Sequence, residues 1–230
     1  MKNTNEFYNL SLKRDKLLLV SCSAISKYLK KILKEIIPNY KEAIDILILS
    51  HNYHIAPEKL TICLENIIIK NKSSYDKIFL CYGECVPKIN ELSKKYGIKR
   101  LNYAHCFEMY LGKEKFRSLV DEEPGTFFVT LEIVKNFDSI IKSLGIDRHQ
   151  NLKEIFFKNY RRIAYIDTGE TNYKKDIKRI SNYLGLPYIV VKADKTAILK
   201  PLKKILDGYL VDGNESQQQN ECKGTEKSRG

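Results

Sequence analysis

Long apolar runs are missing from this chain. Stretches such as Leu17–Val20 and Ile46–Leu49 fall far short of the roughly 20 residues a membrane-spanning helix needs. The N-terminal Met1–Asn9 is polar and lacks the apolar centre of a signal peptide, so the expected location is the cytoplasm, away from any membrane. Tryptophan is absent altogether. So are a Walker loop, a G-x-G-x-x-G turn, an H-E-x-x-H pair and a G-x-S-x-G elbow. Their absence removes the signatures of phosphate-loop, dinucleotide-binding, zincin and serine-hydrolase chemistry. No RGG stretch, zinc-finger spacing or aromatic-basic ribonucleoprotein motif appears either.

What is present is an ordinary globular balance. Hydrophobic residues make up 43% of 230, enough for one sizeable core. The expected organisation is a flexible arm over 1–15, a single domain over 16–211 and a disordered polar tail over 212–230. The net charge of +12 invites a nucleic-acid reading. Its lysines are spread along helices, as in Lys27, Lys30, Lys31 and Lys34, which is the pattern of a solvated surface. Nucleic acid is therefore not an expected partner.

Between the tails, short apolar runs alternate with amphipathic segments. Leu17–Ser21, Ala43–Leu49, Lys77–Cys81, Ile98–Tyr103, Thr126–Val129, Ile163–Ile166 and Tyr188–Val191 read as strands. Ile25, Tyr28, Leu29, Ile32, Leu33 and Ile36 recur at helical spacing after the first of them. Pro57 and Pro87 each stand where a helix would open. The pattern predicts an α/β protein, a mostly parallel sheet with helices on both faces in a Rossmann-like, three-layer arrangement.

Six cysteines in a chain without a signal peptide point to reduced thiols, metal ligands or catalysis rather than a disulfide framework. Cys222 lies in the tail, and Cys63 sits on an apolar helical stripe as a small hydrophobe. Cys81 reads as the last inward residue of a strand. Cys22, Cys85 and Cys106 each follow a predicted strand, the edge at which open α/β folds bind ligands. Cys22, with Ser23 as the expected N-cap, would feel the positive end of a helix dipole, which lowers a thiol pKa; the same holds for Cys85. His54 could complete a Cys₃His sphere for zinc. Three cysteines alone could instead hold a [4Fe–4S] cluster with one open iron. His105, beside Cys106, could act as ligand or proton shuttle. Asp167-Thr168-Gly169-Glu170, between a strand and a helix, reads as a capped turn, with an anion cradle of backbone N–H groups as the alternative.

These residues carry a resemblance. Ser21-Cys22, His54-Ile55-Ala56-Pro57-Glu58-Lys59-Leu60, Tyr82-Gly83-Glu84-Cys85, Ala104-His105-Cys106 with Leu111-Gly112, and Pro124-Gly125-Thr126-Phe127-Phe128-Val129-Thr130 resemble, in order and spacing, the family of unknown function DUF1638. Val86 stands where that family usually has glycine, and His105 where it has aspartate. The resemblance supports Cys22, Cys85 and Cys106 as site residues and implies a link to corrinoid-dependent methyl metabolism. The reading is thus a metal-binding protein with zinc or a [4Fe–4S] cluster on Cys22, Cys85, Cys106 and His54, His105 as acid or base, and a small molecule or corrinoid-type protein as partner. The alternative is a non-catalytic carrier of a metal or corrinoid.

Overall fold

The computed structural model describes residues 16–37, 40–50, 53, 57–169 and 173–206. The arm over 1–15, the tail from 212 with Cys222, Glu170 and His54 all lie outside the described residues. The described residues fold as two compact units, one holding those from 16 to Asn102 and from Ile198 to 206, the other those within Tyr103–Ala197. Each has its own sheet, so the strands fall into sheets of four and three where their alternation suggested one. Every pairing is parallel and helices flank both sheets, as the α/β reading requires. No helix among the described residues is long and apolar enough to cross a membrane.

In the first unit, β1 (Leu17–Cys22) is buried along its whole length, because strands pair with it on both sides. Helix α1 (Ser23–Ile36) follows and buries Ile25, Tyr28, Leu29, Ile32 and Leu33 as the periodicity predicts. β2 (Ile44–Leu49), α2 (Pro57–Asn71), β3 (Lys77–Cys81), α3 (Ile89–Tyr96) and β4 (Lys99–Arg100) complete the order β2-β1-β3-β4. The chain thus leaves β1 toward one edge and returns on its other side at β3. Strand order reverses between β1 and β3, which makes their C-terminal ends a topological switch point.

Two boundaries differ from the sequence reading by more than one residue. β4 covers only Lys99–Arg100 rather than 98–103, because β3 ends at Cys81 and leaves the later residues no strand to follow. α3 begins at Ile89 rather than Pro87, because Lys88 takes a left-handed conformation, φ 57°, at the N-cap. It is the one non-glycine residue with positive φ among those described, a conformation that costs a lysine about 1–2 kcal/mol.

The second unit contains α4 (Glu108–Leu111), α5 (Lys113–Glu122), β5 (Thr126–Val129), α6 (Leu131–Lys135), α7 (Phe137–Ser143), α8 (Gln150–Phe157), β6 (Arg162–Asp167), α9 (Lys174–Leu184) and β7 (Tyr188–Lys192). Its strands run in the simple order β5-β6-β7, with no reversal among them. Val129, Phe137, Ile163, Tyr165, Ile177 and Ile180 form the core between sheet and helices. A last helix, α10, covers 195–206.

Candidate functional site

Cys22 is the final residue of β1 and itself the N-cap of α1, a place the sequence reading gives to Ser23. Its Sγ accepts a hydrogen bond from the Ala24 N–H at 3.4 Å. Cys85 stands in the loop that leaves β3, so these two thiols flank the switch point. They lie close enough to interact electrostatically, and Cys85 packs against the apolar cluster that contains Cys22.

The loop carrying Cys85 is held from two sides. From α2, the Thr61 hydroxyl donates to the Pro87 carbonyl at 2.9 Å. From β4, Arg100 donates to Glu84 Oε1 at 2.9 Å and to Asn90 Oδ1 at 2.8 Å, while its Nη1 donates to the Leu101 carbonyl at 2.7 Å. Cys85 Sγ makes a long contact of 3.8 Å with the Gly83 carbonyl. The Cys85 loop is therefore fixed by residues from two elements, α2 and β4.

Burial dominates the electrostatics, and it reverses the direction expected from the helix dipole. Desolvation pushes the Cys22 thiol above its ordinary value, outweighing the Ala24 N–H that favours the thiolate. Cys85 is raised for the same reason, against smaller opposing effects from the Gly83 region and the Arg100 charge. Cys81 is wholly buried and raised by desolvation alone. Tyr82 adds a feature the sequence did not reveal. Its ring is 2% exposed, its hydroxyl finds no hydrogen-bond partner, and the sulfurs of Cys22, Cys85, Cys63 and Cys81 lie within its electrostatic reach.

Cys63 departs from the core position its stripe suggested. Leu60, Leu64 and Ile68 are the buried residues of α2, whereas Cys63 is half-buried at the side of that stripe and hydrogen-bonds with the Tyr53 phenol.

Cys106 and His105 belong to the second unit. They stand in a turn before α4 rather than at a strand end, and Glu108 closes that turn by accepting from the Ala104 N–H at 2.8 Å. Cys106 is half-buried; His105 is exposed, its ring 5.6 Å from that of Phe116. At the end of β6, the Gly169 N–H donates to Asp167 Oδ1 at 2.8 Å, the capped turn read from the sequence. Among the described residues, no group of three or more His, Cys, Asp or Glu side chains is arranged to hold a metal ion. The structure thus brings together Cys22 and Cys85 of the expected set, with Tyr82, Arg100 and Thr61 as additions. The signals that could have found these additions are faint: an aromatic inside the Y-G-E-C motif, and an arginine closing a short strand in a lysine-rich chain.

No curated protein and no solved structure matches this chain. A family model described as a protein of unknown function, DUF1638, matches residues 48–202, a span that includes Cys85 and Cys106 and begins after Cys22. That match covers well over half of the chain, which therefore belongs to the DUF1638 family.

Proposed function

We propose that this chain is a metal-binding protein whose centre lies at the switch point of the first sheet, with Cys22 and Cys85 as thiolate ligands. The observation that carries this reading is that two thiols lie within electrostatic reach of each other at the switch point, where an open parallel sheet offers a crevice. Their burial argues the same way. A nucleophilic cysteine is made by lowering its pKa, and both of these are raised. A bound cation displaces such protons and supplies the countercharge that burial withholds. Thiolate donors favour zinc or an iron–sulfur cluster. When bound, zinc supplies Lewis acidity toward a thiol, and a cluster supplies an open iron or an electron.

The chain's own residues have distinct tasks in this reading. Cys22 and Cys85 bind, Thr61 and Arg100 hold the Cys85 loop in place, and the buried Tyr82 hydroxyl offers a hydrogen bond shielded from water. One-carbon or corrinoid-linked methyl metabolism is the chemistry that the resemblance implies. The raised thiols favour the carrier form of the reading, in which the pair holds its metal without turning over.

The test is metal and acid-labile sulfide content after anaerobic purification. About one centre per chain is expected, with loss in both Cys22→Ser and Cys85→Ser. Metal-free wild type, or full metal in Cys85→Ser, overturns the reading. Cys106→Ser and His54→Ala, measured alongside, assign the remaining expected ligands. Turnover of methyl donors by loaded protein would replace the carrier form with an enzyme.

A further inference from the structure

The thiols occupy one edge of the first sheet; a cavity of about 480 Å³ opens at the opposite edge, where the strands begin. Leu17, Lys77 and Lys99 are the first residues of β1, β3 and β4, and all three line it. Its volume is that of a small-molecule site.

The inner wall is apolar and firmly built. Leu17 and Ile68 are 1% exposed and Phe79 2%, and Ile98 and Ile205 add further hydrocarbon. The rim is cationic: Lys72, Lys77 and Lys99 against one carboxylate, Asp76. That carboxylate already accepts from the Lys16 N–H at 2.8 Å. The neighbouring acids are engaged too. Asp45 accepts from the Tyr75 hydroxyl at 2.8 Å, and Glu65 accepts from Lys95 at 2.7 Å and from the Tyr96 hydroxyl at 2.8 Å. Among the described residues, Lys72 and Lys99 have no carboxylate within ion-pair distance.

The helix ends that reach this edge would ordinarily present bare carbonyls and a negative dipole. Here the carbonyls are occupied. Ile68 O accepts from Lys72 N–H, and Asn71 O from Ser74 and Tyr75 N–H. Ser93 O and Lys94 O accept from Ile98 and Gly97 N–H. The cavity therefore offers apolar walls and ammonium donors with few acceptors. Lysines are common on this chain, so a lysine at a rim says little by itself. Two of them, Lys72 and Lys99, beside an apolar pocket whose nearby acids among the described residues are all engaged say more.

We propose that this cavity binds an amphipathic organic anion, its carboxylate, sulfonate or phosphate headgroup between Lys72 and Lys99 and its hydrocarbon body against Leu17, Ile68 and Phe79. The proposal is independent of the metal reading, since no residue is shared between the two sites.

The test is a fluorescence titration of the full chain with 1-anilinonaphthalene-8-sulfonate, followed by displacement with decanoate or decanol. Saturable binding is expected, displaced by decanoate and poorly by decanol. Lys72→Glu/Lys99→Glu, at exposed positions, should weaken it by about tenfold or more. Ile98→Trp, which fills the cavity and leaves its charges, should abolish it. No saturable binding, unchanged affinity in the double lysine variant, or equal displacement by decanol would each overturn the proposal.

Discussion

Arg100 donates to Glu84 across 2.9 Å, and the two partners are unequally buried: the arginine side chain is 9% exposed and the glutamate 51%. The bond joins the edge strand to the loop that carries Cys85. Because the guanidinium also holds Asn90 and the Leu101 carbonyl, the two ends of this pair should respond very differently to substitution. Arg100→Gln leaves the carbonyl of buried Leu101, together with the Glu84 and Asn90 side chains, short of donors and should cost about 2 kcal/mol in urea unfolding. Glu84→Gln removes only the solvent-facing partner and should cost less than about 1 kcal/mol. Equal losses would mean that the arginine is not the organising member.

Thiol burial predicts how the metal-free protein responds to alkali. Unfolded cysteines release their protons near about pH 8.5, whereas Cys22 and Cys85 hold theirs to higher pH in the folded chain. The folded state therefore keeps protons that the unfolded state has lost. The resulting stability is complete below the unfolded value and drains away as pH rises toward the folded ones. Denaturation midpoints followed from about pH 7 to 10 should fall more steeply for the wild type than for Cys22→Ala/Cys85→Ala. Parallel slopes would rule out desolvation as the cause.

Tyr82→Phe removes a buried hydroxyl that finds no partner. In metal-free protein the change should raise stability by about 1 kcal/mol, because the desolvation cost disappears while ring packing stays. Calorimetry showing a loss instead would mean that the hydroxyl is satisfied in solution.

Glycines divide into those whose neighbours forbid a side chain and those chosen for backbone conformation. A Cβ on Gly125 would lie 2.6 Å from the Asn159 carbonyl oxygen and 2.9 Å from Arg161 Cγ. Its own carbonyl accepts from Arg161 N–H at 2.7 Å, so the two segments have little freedom to separate. Gly125→Ala should cost about 2–3 kcal/mol. Gly97, at φ 66° with open space around it, should lose only about 1 kcal/mol as alanine. Thermal melts of the two variants measure the difference.

Much of the architecture is legible in the sequence because β1, β3 and β6 are apolar runs and because α1 buries most of the residues that its spacing marks. What pattern does not encode is which strands pair, so the division into sheets of four and three is hidden from it. Nor does it encode how much solvent surrounds a group. A cysteine at a helix N-terminus implies a lowered pKa for Cys22; only the packing of β1 between two partners shows that desolvation prevails. Cys106 reads as a strand-end residue only while β4 is extended to Tyr103, and the strand stops at Arg100. Arg100 and Tyr82 escape a reading by motif because each matters through its burial and its side-chain partners rather than its residue type.

The register of β1 has a consequence for how this site can vary over evolution. Ser21 pairs with Cys81 and Cys22 with Leu49, and successive residues of a strand face opposite sides of the sheet. Deleting or inserting a single residue within Leu17–Cys22 would leave another apolar strand in place but put serine where the thiol now stands. Side chains along this strand can therefore be exchanged for other apolar ones over generations, but its length cannot change without losing the cysteine.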